Sequence, residues 1–431
     1  MRDGAPQEVA IVGAGLVGCL LACFLARRGH QVTLYERRPD PREAGAERGR
    51  SINLALSERG LDALRRLGLD KRVLAEAIPM PGRMMHAVDG TLTFQPYSAD
   101  RRRAINSISR GDLNRVLLEA ADAHPSVTVR FDHKLTGLDP DQGTLTFDNG
   151  RTEQATLVIG ADGAYSAVRA LAELPATRDQ LDHGYKELTI PAPHPFEPGA
   201  LHIWPRGSSM MIALPNPDGS LTCTLFWPKT DFAALDTPER VSAHFAQVYP
   251  DAHALMPDLA QEYAANPVGS LLTVHTAPWV RRGERMTVAL IGDAAHAIVP
   301  FYGQGANCGF EDCVELDRCL EEADGFDAAL TLFERRRKPN ADTIARLALD
   351  NFVEMRDKVA SRAFLARKKA EHLLERLFPG KYVSRYELIS FTTVPYAEVE
   401  RRIARQNRWV AAVASAIVLA VAWWTILGLN Q

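Results

Sequence analysis

The chain has 431 residues, is 46% hydrophobic and carries a formal net charge of −3. That is ample for a sizeable core in two or three structural units, and the near-neutral balance excludes a polyanion as the expected partner, so no nucleic acid is implied. The six cysteines (Cys19, Cys23, Cys223, Cys308, Cys313, Cys319) form no CxxC pair and no Cys/His ligand spacing, which points to reduced thiols facing a cytosol and to no metal site.

An apolar run from Val9 to Val12 leads into Gly13-Ala14-Gly15-Leu16-Val17-Gly18, and an apolar helical pattern follows from Cys19 to Leu25. The next apolar strand, Val32 to Tyr35, ends at Glu36-Arg37-Arg38. Strand, glycine turn, helix, strand and acid make a dinucleotide-binding βαβ unit. Gly13 permits the tight turn, Gly15 lets backbone approach a pyrophosphate, and Gly18 lets the helix pack on the strand. The helix N-terminus offers unpaired N–H groups to phosphate. Glu36 suits a free ribose diol, despite the two arginines beside it. The first apolar run is this strand itself, so no signal peptide is expected.

Further along, residues 76–98 alternate in polarity and include Gly82-Arg83-Met84-Met85-His86, a strand pattern. Asp112 to Ala123 has helical period, and Val127 to Phe131 and Thr144 to Phe147 read as strands. Leu157 to Arg169 holds an apolar strand ending in Gly160-Ala161-Asp162-Gly163. Val288 to His296 repeats the theme with Gly292-Asp293. Between these boxes, from His183 to Val274, short strands alternate with Gly/Pro turns, as in a separate antiparallel sheet. Residues 310–378 are mostly helical in pattern, and Asn351, Glu354 and Met355 fall on one helix face.

The C-terminus differs in kind. From Trp409 to Leu429 no residue is charged, and as a helix the run is about 30 Å long, enough to cross a hydrocarbon core. Trp409, Trp423 and Trp424 suit the interfaces, and Arg401, Arg402, Arg405 and Arg408 precede the run. The expectation is a single-pass C-terminal anchor with the globular part facing the cytosol, in a bacterial inner membrane or a mitochondrial outer membrane.

The glycine turn with both Asp boxes resembles the flavoprotein aromatic hydroxylases. The blocks 49–57, 82–84, 183–188, 201–205 and 299–305, with Asn351 to Met355 and Pro395-Tyr396, are similar to the kynurenine 3-monooxygenases, from about residue 8 to residue 398. The resemblance implies an α/β fold: an FAD-binding Rossmann-like domain with an inserted antiparallel-sheet substrate domain, a helical C-terminal region and one C-terminal transmembrane helix. The FAD domain would comprise 7–75, 99–180 and 276–345. The substrate sheet would take 76–98 and 181–275, the helical region 346–408 and the anchor 409–429. It implies bound FAD, NADPH as a transient co-substrate, O2, and L-kynurenine hydroxylated to 3-hydroxy-L-kynurenine.

Residue by residue, it implies that Gly13, Gly15, Val17, Gly18, Glu36, Arg37, Arg38, Ala55, Arg110, Leu135, Asp162, Asp293, Gly305, Ala306 and Asn307 hold FAD. Arg110 would sit near the pyrophosphate, Leu135 at the adenine end and Asp293 at the ribityl chain. Arg83, Tyr97, Asn351 and Tyr396 would bind the substrate, the first as a fork for its carboxylate. Phe301 and Tyr302 would line the reacting face. No catalytic side chain is expected, since the flavin carries the oxidation, and His296 reads as a packed or turn histidine. Two alternatives stay open: a flavin hydroxylase or epoxidase of another aromatic acid or lipid, and a non-catalytic flavin-binding membrane redox protein.

Overall fold

The computed structural model describes residues 6–43, 53–98, 100, 102–357, 371, 373–375, 377–378 and 380–429. Residues 49–52 of the block before Asn53 therefore lie outside the described residues.

The first layer is a six-stranded sheet in the order Val280–Arg282, Thr287–Leu290, Leu157–Gly160, Glu8–Val12, Gln31–Tyr35, Val127–Arg130. All neighbours pair in parallel except the edge strand Val280–Arg282. Its central strands read as continuous β-branched and aliphatic runs, and Val9, Ile11, Val158, Ile159 and Val288 are buried. A parallel sheet needs that composition because helices cover both faces. The helix Leu16–Arg27 buries Leu20, Leu21, Phe24 and Leu25, and the long loop helix Gly305–Glu322 packs beside it.

This order has one consequence for function. Glu8–Val12, Leu157–Gly160 and Thr287–Leu290 are adjacent and parallel, so their carboxyl ends share one edge. The glycine turn, Asp162 and Asp293 follow those strands directly. Ligands of open α/β sheets bind at that edge.

The second layer is a seven-stranded sheet: Gly269–Thr276, Ala176–Ile190, Leu221–Pro228, Ser209–Pro215, Leu201–Arg206, Gly82–His86, Leu92–Pro96. It is antiparallel except where Leu201–Arg206 runs parallel to Gly82–His86, a strand supplied by an earlier stretch of chain. Side-chain alternation gives the sheet two faces. Trp204, Met211, Leu225 and Trp227 pack against helices on one side. Met210 and Phe226 face the other way and meet Phe301 and Phe352.

The long helix Phe326–Asp357 crosses behind the loop helix and continues through Pro339. The C-terminal part adds the short helix Arg385–Ser390 and the terminal helix Tyr396–Leu429.

The expected membrane anchor is corrected. Among the described residues no helix is long and apolar enough to cross a membrane. The terminal helix begins as a docked, amphipathic element: Tyr396 and Val399 are buried against Leu388 and Ile389, while Arg401 and Arg405 ion-pair with Glu398 on its exposed side. Much of the run 409–429 contributes side chains that lie outside the described residues. The transmembrane helix, the single-pass topology and the membrane placement that rested on it are withdrawn.

The glycine turn gives a direct test of the packing. A Cβ on Gly18 would lie 1.9 Å from the Gly13 carbonyl oxygen, whereas one on Gly15 meets nothing within 4 Å. Gly18→Ala is expected to destabilise the apoprotein by about 1–3 kcal/mol, the usual cost of overpacking, while Gly15→Ala leaves its melting temperature unchanged. Equal melting curves for both variants would contradict this account of the turn.

Candidate active site

At the sheet edge the glycine turn is shaped by contacts rather than sequence alone. Gly13 has φ +108°, and a Cβ there would collide with the Ala161 carbonyl oxygen at 2.6 Å, so the turn lies directly on the first Asp box. The Glu36 carboxylate accepts from the Ala14 N–H at 3.0 Å and from the Arg38 N–H at 3.1 Å, which locks the acid beside the turn. The Arg38 side chain is largely exposed beside it, and Arg37 is exposed as well. Val17 fills the space between Gly292 and Gly309, where added Cβ atoms would approach it at 3.1 and 2.6 Å.

The two Asp boxes behave differently. Asp162 Oδ2 accepts from the Ala167 and Val168 N–H groups at 2.7 and 3.1 Å, capping the short helix Ala167–Leu171. Its other oxygen is buried with no partner, and burial raises its pKa. Asp293 opens the turn Asp293–His296 and is exposed at the crevice. The buried Arg169 donates to the Ala164 and Ala294 carbonyls, at 2.7 Å each, and so ties one box to the other.

The loop after the second box carries Phe301 and Tyr302 in the turn Pro300–Tyr302, then enters the helix at Gly305. Asn307 is its anchor: its amide donates to the Ala55 and Gly303 carbonyls at 2.8 and 2.7 Å, and its oxygen accepts from the Ser57 N–H at 2.9 Å. Ala306 packs on the core, while Gly305 faces open space. No side chain caps this helix start, so its first N–H groups have no side-chain acceptor and carry the positive end of the helix dipole. Arg110 opens the helix Arg110–Asp122 and is exposed, and its charge acts on Tyr185. Leu135 is buried in the strand Leu135–Asp139.

These features fit a flavin dinucleotide. An orphaned carboxylate oxygen, an uncapped helix end and a glycine whose missing Cβ leaves open space converge on one edge.

Beyond the loop lies a second group. Arg83 sits opposite Gln95 across paired strands, and its Nε donates to Gln95 Oε1 at 3.0 Å, which leaves the two terminal nitrogens of the fork to other acceptors. Tyr97 stacks on Tyr386 with ring centroids 4.9 Å apart, and Tyr302 lies 6.1 Å further on. Burial pushes the Tyr97 hydroxyl up to about 12, against the opposing effect of the Arg83 charge. Burial likewise raises Tyr386, next to Tyr97 and the same arginine. Phe301 stacks on Phe352 at 4.3 Å and meets Phe226 at 5.1 Å, forming an apolar wall beside this group. Asn351 donates to the Phe301 carbonyl at 2.7 Å, so it braces the wall. The side chains of Glu354 and Met355 lie outside the described residues.

One expectation changes here. Tyr396 is not brought to Arg83. It is fully buried, its hydroxyl donates to Gln304 at 2.9 Å, and the Arg59 guanidinium lies 3.9 Å from its ring centre. Tyr386, which the sequence reading passed over, takes the place beside Tyr97. His296 is packed, one of the two readings given above: its Nε2 lies 2.6 Å from Asp312 in a buried pair. Burial would lower its pKa, but the Asp312 charge more than offsets this and raises it. His296, Cys308 and Asp312 come within reach of a common metal ion. However, Arg337 already donates to Asp312 at 2.7 Å and contacts the Cys308 sulfur at 3.3 Å, placing a cation where a metal would have to sit.

The fold and site define a class: FAD-binding monooxygenases built on the doubly wound sheet. A model of the FAD-binding domain family matches residues 7–348. Among solved structures, 2-methyl-3-hydroxypyridine-5-carboxylic acid oxygenase superposes with a TM-score of 0.69 at 23% identity, over 84% of this chain and 96% of that one. PqsL of P. aeruginosa, in complex with 2-aminobenzoylacetate, gives 0.69 at 22% identity over 81% and 97%. At such identities the likeness is one of fold.

Curated relatives are much nearer. The kynurenine 3-monooxygenase of Myxococcus xanthus is 51% identical over 92% of this chain and 88% of its own length. Those of Salinispora arenicola and Dictyostelium discoideum are each 46% identical, over 96% and 92% of this chain and 94% and 90% of their own. The chain belongs to the kynurenine 3-monooxygenase family.

Behind the Arg83 strand lies a buried polar chain. His86 bridges Asp251 at 2.6 Å and His202 at 2.9 Å, and His202 Nε2 contacts the Glu197 carbonyl at 2.8 Å. Burial pushes the His202 pKa down to about 4. Its folded-state pKa is therefore depressed, so the unfolded chain takes up the proton first as pH falls from about 6.5. Stability is expected to drop between pH 6.5 and 4, by about 2–3 kcal/mol at most from this group. Urea unfolding at pH 7 and pH 5 measures the drop, and His202→Gln is expected to flatten it. An unchanged pH slope in the variant would remove His202 as the cause.

Proposed function

We propose that the chain hydroxylates L-kynurenine to 3-hydroxy-L-kynurenine with NADPH, O2 and bound FAD. The observation that carries the reading is an arginine fork beside one buried and one partly buried tyrosine, next to an aromatic wall at the cofactor loop. Such a set suits a small aromatic amino acid: charge and hydroxyls for its carboxylate, an apolar slot for its ring.

In this reading Gly13, Gly15, Val17 and Gly18 form the pyrophosphate turn. Glu36, flanked by Arg37 and Arg38, and Leu135 receive the adenosine end. Arg110 lies near the pyrophosphate. Asp162 and Asp293 take hydroxyls of the ribose and ribityl chains, and Ala55, Gly305, Ala306 and Asn307 line the flavin ring. Bound FAD supplies the hydride acceptor for NADPH and the centre that activates O2.

The protein's own residues do the rest. Uncapped N–H groups at Gly305 stabilise negative charge at the loop. Arg83, Tyr97 and Tyr386 hold the carboxylate and thereby fix where the ring lies. Asn351 steadies Phe301, and Phe226, Phe301 and Phe352 keep water from the reacting face, which protects the oxidant from release as peroxide. The aryl amine of kynurenine supplies electron density to C3, so positioning rather than base catalysis is the demand on the side chains. Among the described residues there is one glycine-rich βαβ unit, which this reading assigns to FAD, with NADPH docking transiently.

Arg83→Ala is expected to raise KM for L-kynurenine by about 10–100-fold, the scale of a lost charge-assisted hydrogen-bond pair, while the protein purifies yellow. An unchanged KM would remove Arg83 from the carboxylate site. Asp293→Ala is expected to lose FAD during gel filtration, with an absorbance ratio at 280 and 450 nm well above the wild type. Full retention of flavin by that variant would contradict the ribityl assignment.

A further inference from the structure

Arg59 is fully buried, yet it lies outside both the crevice and the carboxylate group, on the helix Glu58–Arg66 just after the strand carrying Ala55. Every arm of its guanidinium is used. Nε donates to the Ile389 carbonyl at 3.0 Å, a terminal nitrogen donates to the Val394 carbonyl, and the other terminal nitrogen pairs with Glu311 at 2.7 Å. Its flat face lies on the Tyr396 ring at 3.9 Å, and the Tyr396 hydroxyl holds Gln304 in the cofactor loop. Glu311 is itself fixed by Arg337 at 2.9 Å, and Arg337 by Asp312 at 2.7 Å. Asp312 accepts the Gly292 N–H at 3.0 Å, at the turn that carries Asp293. A continuous, largely buried ionic chain thus runs from the second Asp box to two backbone carbonyls of the C-terminal segment.

Both carbonyls belong to the C-terminal segment just after Tyr386. Ile389 lies in the same short helix, Arg385–Ser390, and Val394 closes the following turn. We infer that Arg59 is a positioning residue for substrate recognition: it latches the C-terminal segment to the cofactor half so that Tyr386 meets Tyr97 beside Arg83. The inference rests on the reading of that group as the carboxylate site. A planar cation with five donors can hold two carbonyls, a carboxylate and a ring at once; a lysine ammonium, a point charge with three donors, cannot.

The test uses the full chain loaded with FAD and two ligands, L-kynurenine and its decarboxylated analogue kynuramine, with dissociation constants read from the flavin spectrum. Wild type is expected to bind L-kynurenine much more tightly. Arg59→Lys is expected to weaken L-kynurenine about tenfold while kynuramine affinity and flavin content stay within about twofold. Hydrogen exchange is expected to quicken over residues 385–394 but not in the six-stranded sheet. Should Arg59→Lys fold poorly, Glu311→Gln loosens the same latch, and a smaller loss of the same ligand-selective kind is expected.

Discrimination by the wild type that survives undiminished in both variants would overturn the latch and leave the carboxylate reading standing. Equal weakening of both ligands, or loss of flavin, would reduce Arg59 to general stability and also overturn it. A wild type that binds both ligands alike would overturn the carboxylate reading itself, and the latch with it.

Discussion

The carboxylate of Asp312 is the point on which the rest of the molecule turns. It is fully buried and accepts the Gly292 N–H, His296 and Arg337 together. A lone buried charge costs several kcal/mol, and breaking such a cluster by removing one partner typically costs roughly 3–5 kcal/mol. The cluster is therefore stable only when the second Asp box, the loop helix and the long helix Phe326–Asp357 are all in place. Through Arg337, Glu311 and Arg59 the same requirement extends to the C-terminal segment. A single network thus ties five stretches of chain together: the second Asp box, the loop helix, the long helix, the helix of Arg59 and the C-terminal segment.

That assembly explains how the site can be divided without being loose. The cofactor edge is built from adjacent parallel strands whose turns are tied together by Arg169, Asn307 and Val17. The aromatic wall joins the seven-stranded sheet to the loop through Phe226, Phe301 and Phe352. The proposed carboxylate site adds Arg83 from the sheet and Tyr386 from the C-terminal segment. Ser98 and Arg103 reinforce that seam by contacting Glu387, at 3.4 and 2.6 Å. Chemistry that depends on excluding water and on orienting a ring needs rigidity of this kind more than it needs a base.

What could be read from the sequence was what is local. The glycine turn, the acid at residue 36 and both Asp boxes each announce themselves within a few residues, because strand, turn and helix start are short-range features. The strand that carries Arg83 was legible from the alternation around it. Tyr386 was not: its partner Tyr97 lies far away in sequence, and the resemblance at Pro395-Tyr396 pointed to Tyr396 instead. The structure separates them by what they touch, one stacked on Tyr97 and the other beneath Arg59. The Asp312 hub left a fainter trace, an acid set among Phe310, Cys313 and Val314 on the apolar face of a helix. The tail misled because uncharged length was weighed, while the docked, ion-paired first turns of the same helix were not.

The most direct measurement is NADPH oxidation by the FAD-loaded protein with and without L-kynurenine, with the product identified by mass. Oxidation stimulated by L-kynurenine and matched by 3-hydroxy-L-kynurenine is the expected result. Stimulation that yields hydrogen peroxide alone, or no stimulation at all in protein that retains its flavin, would contradict the assignment of this site to kynurenine hydroxylation.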